Sequence, residues 1–315
     1  YICPMSSFKN YLSLVKFSHT IFAMPFAMIG FVLGITSQYR HYTTGQWNLN
    51  KTIGWPAGTV GVYDWKNILL KFFLVIVCMV AARSAAMAFN RYLDRSFDAK
   101  NPRTAIREIP RGIISANNAL VFVIINCIVF ITATFFINTL CFLLSPIALF
   151  VILFYSYTKR FTALCHLVLG LGLSLAPIGA YLAVTGKFDL LPILFSVAVI
   201  CWVSGFDIIY ALQDVEFDSS QKLYSIPVMT GKQKALRISE LLHVLSAVCI
   251  ITAGILGHFQ WIYWLGTIVF ISMLFYQHSL VKPNDLSKVN IAFMTANGIA
   301  SVVFGVLVIT SIFFS

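Results

Sequence analysis

The sequence predicts an all-α fold, a multispanning membrane bundle of about nine transmembrane helices with an Asp-rich site at its inner end. Three observations carry this. Of the 315 residues, 59% are hydrophobic and only 10% charged, and the mean hydropathy is +0.86, values outside the range of an ordinary soluble domain of this length. The apolar runs are long enough to cross a hydrocarbon core of about 30 Å, which takes roughly 20 helical residues. The strict apolar/polar alternation of a membrane barrel is missing, so helices are the spanning element.

Along the chain the spans fall at about 17–36, 67–89, 118–138, 141–158, 164–185, 190–213, 236–256, 260–279 and 291–313. An odd number of spans puts the termini on opposite sides. The N-terminal segment, the loop of the 90s to 110s, the Lys159-Arg160 turn, the 214–237 loop and the 280s loop hold sixteen of the 22 Lys and Arg. The opposite set holds five, Arg40, Lys51, Lys66, Lys71 and Lys187, while Arg83 lies inside the second span. By the positive-inside rule the richer side is cytoplasmic. The net charge of +11 follows from this topology and from anionic substrate, so nucleic acid is not required as a partner.

No hydrophilic insertion is large enough for a separate soluble domain, and residues 1–315 read as a single intramembrane domain. The polar stretch from Ser37 to Trp65, with Gly45, Gly54, Pro56, Gly58 and Gly61, reads as an outer turn-rich loop. The seven cysteines are scattered without C-x-x-C spacing and read as small packing residues. Met5 is a candidate start, and the first apolar run is expected to span rather than to be cleaved as a signal peptide.

Two motifs of matching spacing end the second and sixth spans: Asn90-x-x-x-Asp94-x-x-x-Asp98 and Tyr210-x-x-x-Asp214-x-x-x-Asp218. On a helix, spacing of four stacks the aspartates on one face, where like charges repel by about 0.2–0.5 kcal/mol per pair. An aspartate at a membrane helix centre is unfavourable by about 2.5–3.5 kcal/mol, and at the helix end it still loses solvation. Two copies of so unfavourable an arrangement point to a cation site. Each span also carries a polar side chain before its motif, Arg83 or Asp207, and a basic loop after it. The first loop holds Lys100, Arg103, Arg107 and Arg111, the second Lys222, Lys232 and Lys234, which suggests a pseudo-repeat about 120 residues apart.

Magnesium takes oxygen ligands and is commonly held by one or two carboxylates together with phosphate oxygens and water. A diphosphate bridged by magnesium to both motifs satisfies the aspartates, and the basic loops neutralise the remaining oxygens. Nine spans around such a site imply a lipid tail, and an isoprenyl diphosphate fits. Metal makes diphosphate a better leaving group, and a dry aromatic pocket protects the allylic cation that results. Asn90 and Gln213 are candidate neutral oxygen ligands at the same depth.

The segment Asn90-Arg-Tyr-Leu-Asp94-Arg-Ser-Phe-Asp98, followed by Asn101-Pro-Arg-Thr-Ala and Arg107-Glu-Ile-Pro-Arg-Gly112, resembles the first signature of the UbiA-type intramembrane prenyltransferases. Tyr210-Ala-Leu-Gln-Asp214-Val-Glu-Phe-Asp218, with Ser225-Ile-Pro before Gly231, resembles the second. The resemblance covers nearly the whole chain and is strongest to the 4-hydroxybenzoate polyprenyltransferase branch, including bacterial members assigned to menaquinone formation by the futalosine route. Arg91 departs from the pattern, since many relatives carry an acid there. The resemblance implies prenyl transfer from a polyprenyl diphosphate to a ring carbon of an aromatic acid, 4-hydroxybenzoate or a related one, at a bacterial inner membrane with the motifs facing the cytoplasm. Carried over by residue, it implies Asn90, Asp94, Asp98, Asp214 and Asp218 around Mg2+, with Asp207 and Tyr210 beside the acceptor as catalytic groups. Arg83, Arg91, Lys100, Arg103, Lys159, Arg160 and Lys222 are the expected substrate and diphosphate contacts.

Blander readings stand beside these. A single D-x-x-x-D at a helix end is more often a solvated cap than a metal site, and Arg83 reads equally as a structural ion pair. Glu216, two residues from each aspartate, points to another helix face, and His19 reads as an interfacial polar residue. His166, His243, His258 and His278 lack mutual metal spacing and read as structural. A sibling enzyme with a dihydroxynaphthoate, homogentisate or haem acceptor, or a transporter with intramembrane acids, are the alternatives to the main reading.

Overall fold

The computed structural model describes residues 4–15, 22–43 and 64–314. His19 and most of the Ser37 to Trp65 loop lie outside the described residues. The helices are α1 (Pro4–Val15), α2 (Met24–Thr43), α3 (Trp65–Leu93), α4 (Arg95–Lys100), α5 (Ala116–Ile137), α6 (Thr139–Thr158) and α7 (Cys165–Thr185). They continue as α8 (Leu190–Ala211), α9 (Val215–Ser220), α10 (Ile226–Thr230), α11 (Lys232–Leu256), α12 (Trp261–Leu280) and α13 (Asn297–Phe313). Among the described residues no strand is formed, as the all-α prediction requires.

Seven of the described helices are long and apolar enough to cross a membrane: those over Trp65–Leu93, Ala116–Ile137, Thr139–Thr158, Cys165–Thr185, Leu190–Ser220, Lys232–Leu256 and Ile291–Phe313. Helices also occupy the other two expected positions. In α2 the apolar stretch is the shorter Met24–Ser37, and α12 carries Gln277 and His278 near its end, which dilute its 20 residues. The chain is an integral membrane protein.

Tight turns fix the helix order. Ser115 caps α5 by accepting from the Asn118 N–H at 3.1 Å. Asn138 alone separates α5 from α6 and caps the latter through the Cys141 N–H at 2.8 Å. Gly186 closes α7 at φ 63°, the left-handed conformation that glycine adopts without strain. At that end the Lys71 ammonium donates to the Val184 carbonyl at 3.2 Å, tying α3 to α7. The motif-bearing loops all sit at the opposite end.

Helix α8 packs between α7 and α11 and is buried along most of one face, from Pro192 to Ile209. Its Trp202 lies among Phe26, Phe206 and Phe270 at centroid distances of 5.2–5.5 Å, and the indole N–H donates to Asn297 Oδ1 at 2.9 Å. Gln277 donates to the same oxygen at 2.7 Å. Asn297 follows a π-helical segment, Ile291–Ala296, and its amide donates to the carbonyls of Ala292 and Phe293. Such a π-turn is uncommon and recurs at functional sites. Here it presents Phe293 to the ring of Tyr210, 4.3 Å between centroids.

The motifs themselves differ from the uninterrupted helical face expected of them. Helix α3 stops at Leu93 and α4 restarts at Arg95, while a 3₁₀ turn over Leu212–Asp214 separates α8 from α9. In both, the break falls at the middle aspartate. Aspartate competes with the helix backbone for hydrogen bonds and favours such ends.

Candidate active site

The end of the bundle that holds the breaks brings four segments together: the α3–α4 junction, the loop 101–115, the Lys159-Arg160 turn, and the α8–α9 junction. The Tyr224 N–H donates to the Lys159 carbonyl at 2.8 Å, tying the loop after α9 to the turn after α6. Ser225 caps α10 and steadies the same loop.

Each of the four motif aspartates is met by a different cation. Arg160 Nη2 reaches Asp94 Oδ1 at 3.2 Å, and the Leu93 carbonyl at 2.9 Å. Arg107 Nη1 donates to both oxygens of Asp98, at 2.7 and 2.8 Å. Arg103 grips Asp214 through Nε, 3.1 Å from Oδ1, and through Nη2, while its Nη1 donates to the Tyr210 hydroxyl at 2.9 Å. Lys159 Nζ lies 2.8 Å from Asp218 Oδ1. The cations come from elements other than the aspartates' own, so the pairing stitches the inner end together. Asn90 donates to Asp94 Oδ2 at 3.2 Å.

Burial raises the Asp94 carboxyl above its ordinary value, with Lys159 and the Arg160 hydrogen bond opposing the rise. Lys159 is pulled down by burial but held above its ordinary value by Asp218, with Asp214 and Asp94 adding to that. The lysine is therefore charged throughout the neutral range.

Among the described residues no three His, Cys, Asp or Glu side chains converge into a ready-made metal cage. A magnesium site needs no such cage, because it is completed by water and phosphate oxygens. Asp218 Oδ2 is buried and has no hydrogen-bond partner, the condition of an oxygen awaiting a cation. The donor set, four carboxylates and an amide among cations, fits a metal–diphosphate pair.

A cavity of about 380 Å³ opens between α3, α5, α6 and α7. Its wall is apolar, with Met79, Phe130, Leu144 and Val151 among the contributors. Arg83 and Tyr155 are also in the wall, and Arg83 Nε is buried without a partner. Met87 and Leu169 line it one helical turn before Asn90 and one turn after His166, and Tyr155 stands one turn, about 5.4 Å, before Lys159. The cavity thus begins one turn beneath the acidic cluster.

Not every expected residue joins the cluster. Arg91, expected to contact diphosphate, is instead buried, 4% exposed, and paired with Glu108 at 3.4 Å inside the 101–115 loop. Lys100 donates to Gln221 at 3.5 Å across the two motif loops. Lys222 is exposed in the turn after α9, at φ 55°. Glu216 is solvent-exposed, 4.0 Å from Lys232. His243 and His278 meet at 2.9 Å inside the bundle, away from the motifs.

Asp207 faces a partner that a structural reading of the histidines missed: His166 Nδ1, 2.7 Å from Oδ2. An ionisable side chain within a span is a functional candidate by default, and that rule, applied to Asp207, flags His166 equally. Phe293 carried no signal in the sequence, since the π-turn that aims it leaves no residue pattern.

Residues 54–299 match the UbiA prenyltransferase family. A 4-hydroxybenzoate octaprenyltransferase of Francisella tularensis subsp. mediasiatica is 30% identical over 257 residues, covering 81% of this chain and 90% of the relative. One from Aliivibrio salmonicida is 29% identical over 269 residues, covering 81% and 92%. The apo structure of a UbiA homologue from Aeropyrum pernix K1 superposes with a TM-score of 0.73 at 26% identity, over 94% of this chain and 97% of that one. A UbiA homologue from Archaeoglobus fulgidus, bound to GPP and Mg2+, shares the fold with a TM-score of 0.71 at 18% identity, over 96% and 99%. The chain belongs to the UbiA prenyltransferase family and is an integral membrane enzyme.

Proposed function

We propose that this enzyme, as one intramembrane domain, transfers a polyprenyl group from its diphosphate to a ring carbon of an aromatic acid, 4-hydroxybenzoate or a close relative, for quinone biosynthesis. The observation that carries the reading is the interleaving of four aspartates with four cations directly above an apolar cavity. Only an amphiphile with a multiply charged anionic head and a long apolar tail uses both parts. The relatives named 4-hydroxybenzoate octaprenyltransferase support the acceptor class. The homologue holding GPP and Mg2+ supports the donor class and the metal.

Asn90, Asp94, Asp98, Asp214 and Asp218 would hold magnesium. Bound there, the metal supplies Lewis-acid stabilisation of the departing diphosphate. Arg103, Arg107, Lys159 and Arg160 exchange their aspartate partners for phosphate oxygens as substrate enters, so charge balance is kept in both states. Lys100 and Lys222 stand at the rim as further diphosphate contacts. Arg83, with its unsatisfied Nε inside the cavity wall, meets the substrate from the membrane side. The cavity keeps water from the allylic carbon, and Tyr210 with Phe293 offers ring faces beside it. Asp207, one turn before Tyr210, takes the proton released as the ring is substituted.

With this charge asymmetry the acidic end faces the cytoplasm of a bacterial inner membrane. Family membership removes the transport reading, and a sibling acceptor remains as an outcome of the assay. The test is product formation by purified enzyme in nanodiscs with a polyprenyl diphosphate and separate aromatic acceptors. Prenylated 4-hydroxybenzoate supports the proposal, and product with dihydroxynaphthoate or homogentisate alone replaces its acceptor.

A further inference from the structure

His166 and Asp207 join α7 to α8 at the inner end of the apolar cavity, His166 Nδ1 lying 2.7 Å from Asp207 Oδ2. The two side chains are unequally open: the imidazole is 4% exposed and the carboxylate 24%. Among the described residues the imidazole is the single hydrogen-bond partner of the Asp207 side chain. The other ring nitrogen, Nε2, is buried without a partner.

This pattern differs from a histidine that merely fills the core. A structural imidazole has both nitrogens satisfied, since an unmet buried polar atom costs stability. Here Nδ1 of the ring is given to a carboxylate while Nε2 stays unmet. A carboxylate on Nδ1 fixes a proton there. His166 is itself held in place, because Ser204 Oγ donates to its main-chain carbonyl at 3.1 Å, and Leu169, one turn on, lines the cavity. Asp207 shares a helix face with Tyr210, whose hydroxyl accepts from Arg103, the residue gripping Asp214. The pair therefore adjoins the head-group cluster and the tail cavity together.

We infer that His166 is a positioning residue for prenyl transfer: its Nδ1–H occupies Asp207 Oδ2 and so presents Oδ1 to the aromatic acceptor. The inference rests on the proposed transfer to an aromatic ring. In that step the allylic C–O bond breaks with its electron pair leaving on the diphosphate, and a ring π pair forms the new C–C bond. The proton lost from the substituted ring carbon, whose bonding pair restores aromaticity, passes to Asp207 Oδ1. His166 changes no bond and sets which oxygen receives the proton.

The test uses the full chain in nanodiscs with wild type, His166→Ala, His166→Asn and Asp207→Asn. The Asn amide nitrogen stands near the place of Nδ1 and keeps its N–H without the ring. Loss of the imidazole in His166→Ala is expected to lower kcat at least about tenfold, part of the roughly 10²–10⁴-fold that a positioned acid–base group contributes. KM for the prenyl diphosphate is expected to stay within about twofold, since the donor cluster is untouched, and His166→Asn is expected to recover most of the lost kcat. Equal loss in the Asn and Ala variants, an unchanged kcat, or a donor KM that rises in step overturns the role. Nitrogen-15 histidine NMR reads the pairing without turnover, the His166 signals being assigned by their loss in His166→Asn. Signals of an Nδ1-protonated ring that shift in Asp207→Asn support it, and signals indifferent to Asp207 overturn it. Absence of product from wild type with every acceptor would refute the proposed activity and this role with it, while the NMR result separately decides whether the pair exists.

Discussion

Lys159 Nζ lies 2.8 Å from Asp218 Oδ1 and joins the turn after α6 to the second acidic motif. Asp218 is only 2% exposed and its other oxygen is unmet, so among the described residues the lysine is its direct ion-pair partner, with Arg103 acting from farther off. Removing the cation strands a buried carboxylate. Lys159→Ala is expected to destabilise the metal-free protein by up to about 3–5 kcal/mol, with the partial exposure of Lys159 favouring the lower end. Thermal unfolding in detergent measures this. Added magnesium should recover part of the loss, because on the proposed reading it meets the same carboxylate.

Arg103 offers a second contrast, since it binds Asp214 with two nitrogens and Tyr210 with a third. A lysine keeps the charge but not the fork. Arg103→Lys is therefore expected to raise KM for the prenyl diphosphate about tenfold while the protein stays folded, and steady-state kinetics check it. An unchanged KM would place Arg103 outside the donor contacts.

Metal binding should depend on pH in a defined direction. Burial raises the Asp94 carboxyl, so it holds its proton at a higher pH than a solvated aspartate. A proton there competes with the metal, so magnesium affinity falls as pH falls, beginning above the ordinary carboxylate range. Calorimetric titration at neutral and mildly acidic pH, in buffers of different ionisation enthalpy, should show weaker binding and larger proton release on the acidic side. A flat profile would remove Asp94 from the ligands.

On the proposed reading the cavity holds the prenyl tail and so sets the length of chain accepted. Ala82 lines it, and Ala82→Phe fills space that a long tail needs. The variant should turn over geranyl diphosphate close to the wild-type rate and lose at least about tenfold in kcat/KM with an octaprenyl diphosphate, as overfilling an apolar site does. Equal effects on both donors would show that the tail lies elsewhere.

Much of this was legible in the residues. Composition and run length give the spanning helices, and α3, α5, α6, α7 and α8 fall within a few residues of the positions expected of them. The motif aspartates and the cations Arg103, Lys159 and Arg160 were identifiable from charge at the inner helix ends, and the structure brings them together. Three features were not legible. The breaks at Asp94 and Asp214 come from local hydrogen-bond competition that a fixed spacing of four conceals. Arg91 turns from α3 toward the 101–115 loop because Glu108, seventeen residues on, offers a buried partner. His166 meets Asp207 across 41 residues of sequence, a juxtaposition that only the packing of α7 on α8 creates.

The most direct test of the account is prenyl transfer by the purified enzyme in nanodiscs, with and without magnesium, for wild type, Asp94→Asn and Asp214→Asn. Prenylated aromatic product and diphosphate from wild type, both lost without metal and in either variant, is the expected result. Transfer that persists without magnesium, or in both folded variants, would contradict the assignment of the paired acidic motifs to the metal–diphosphate site.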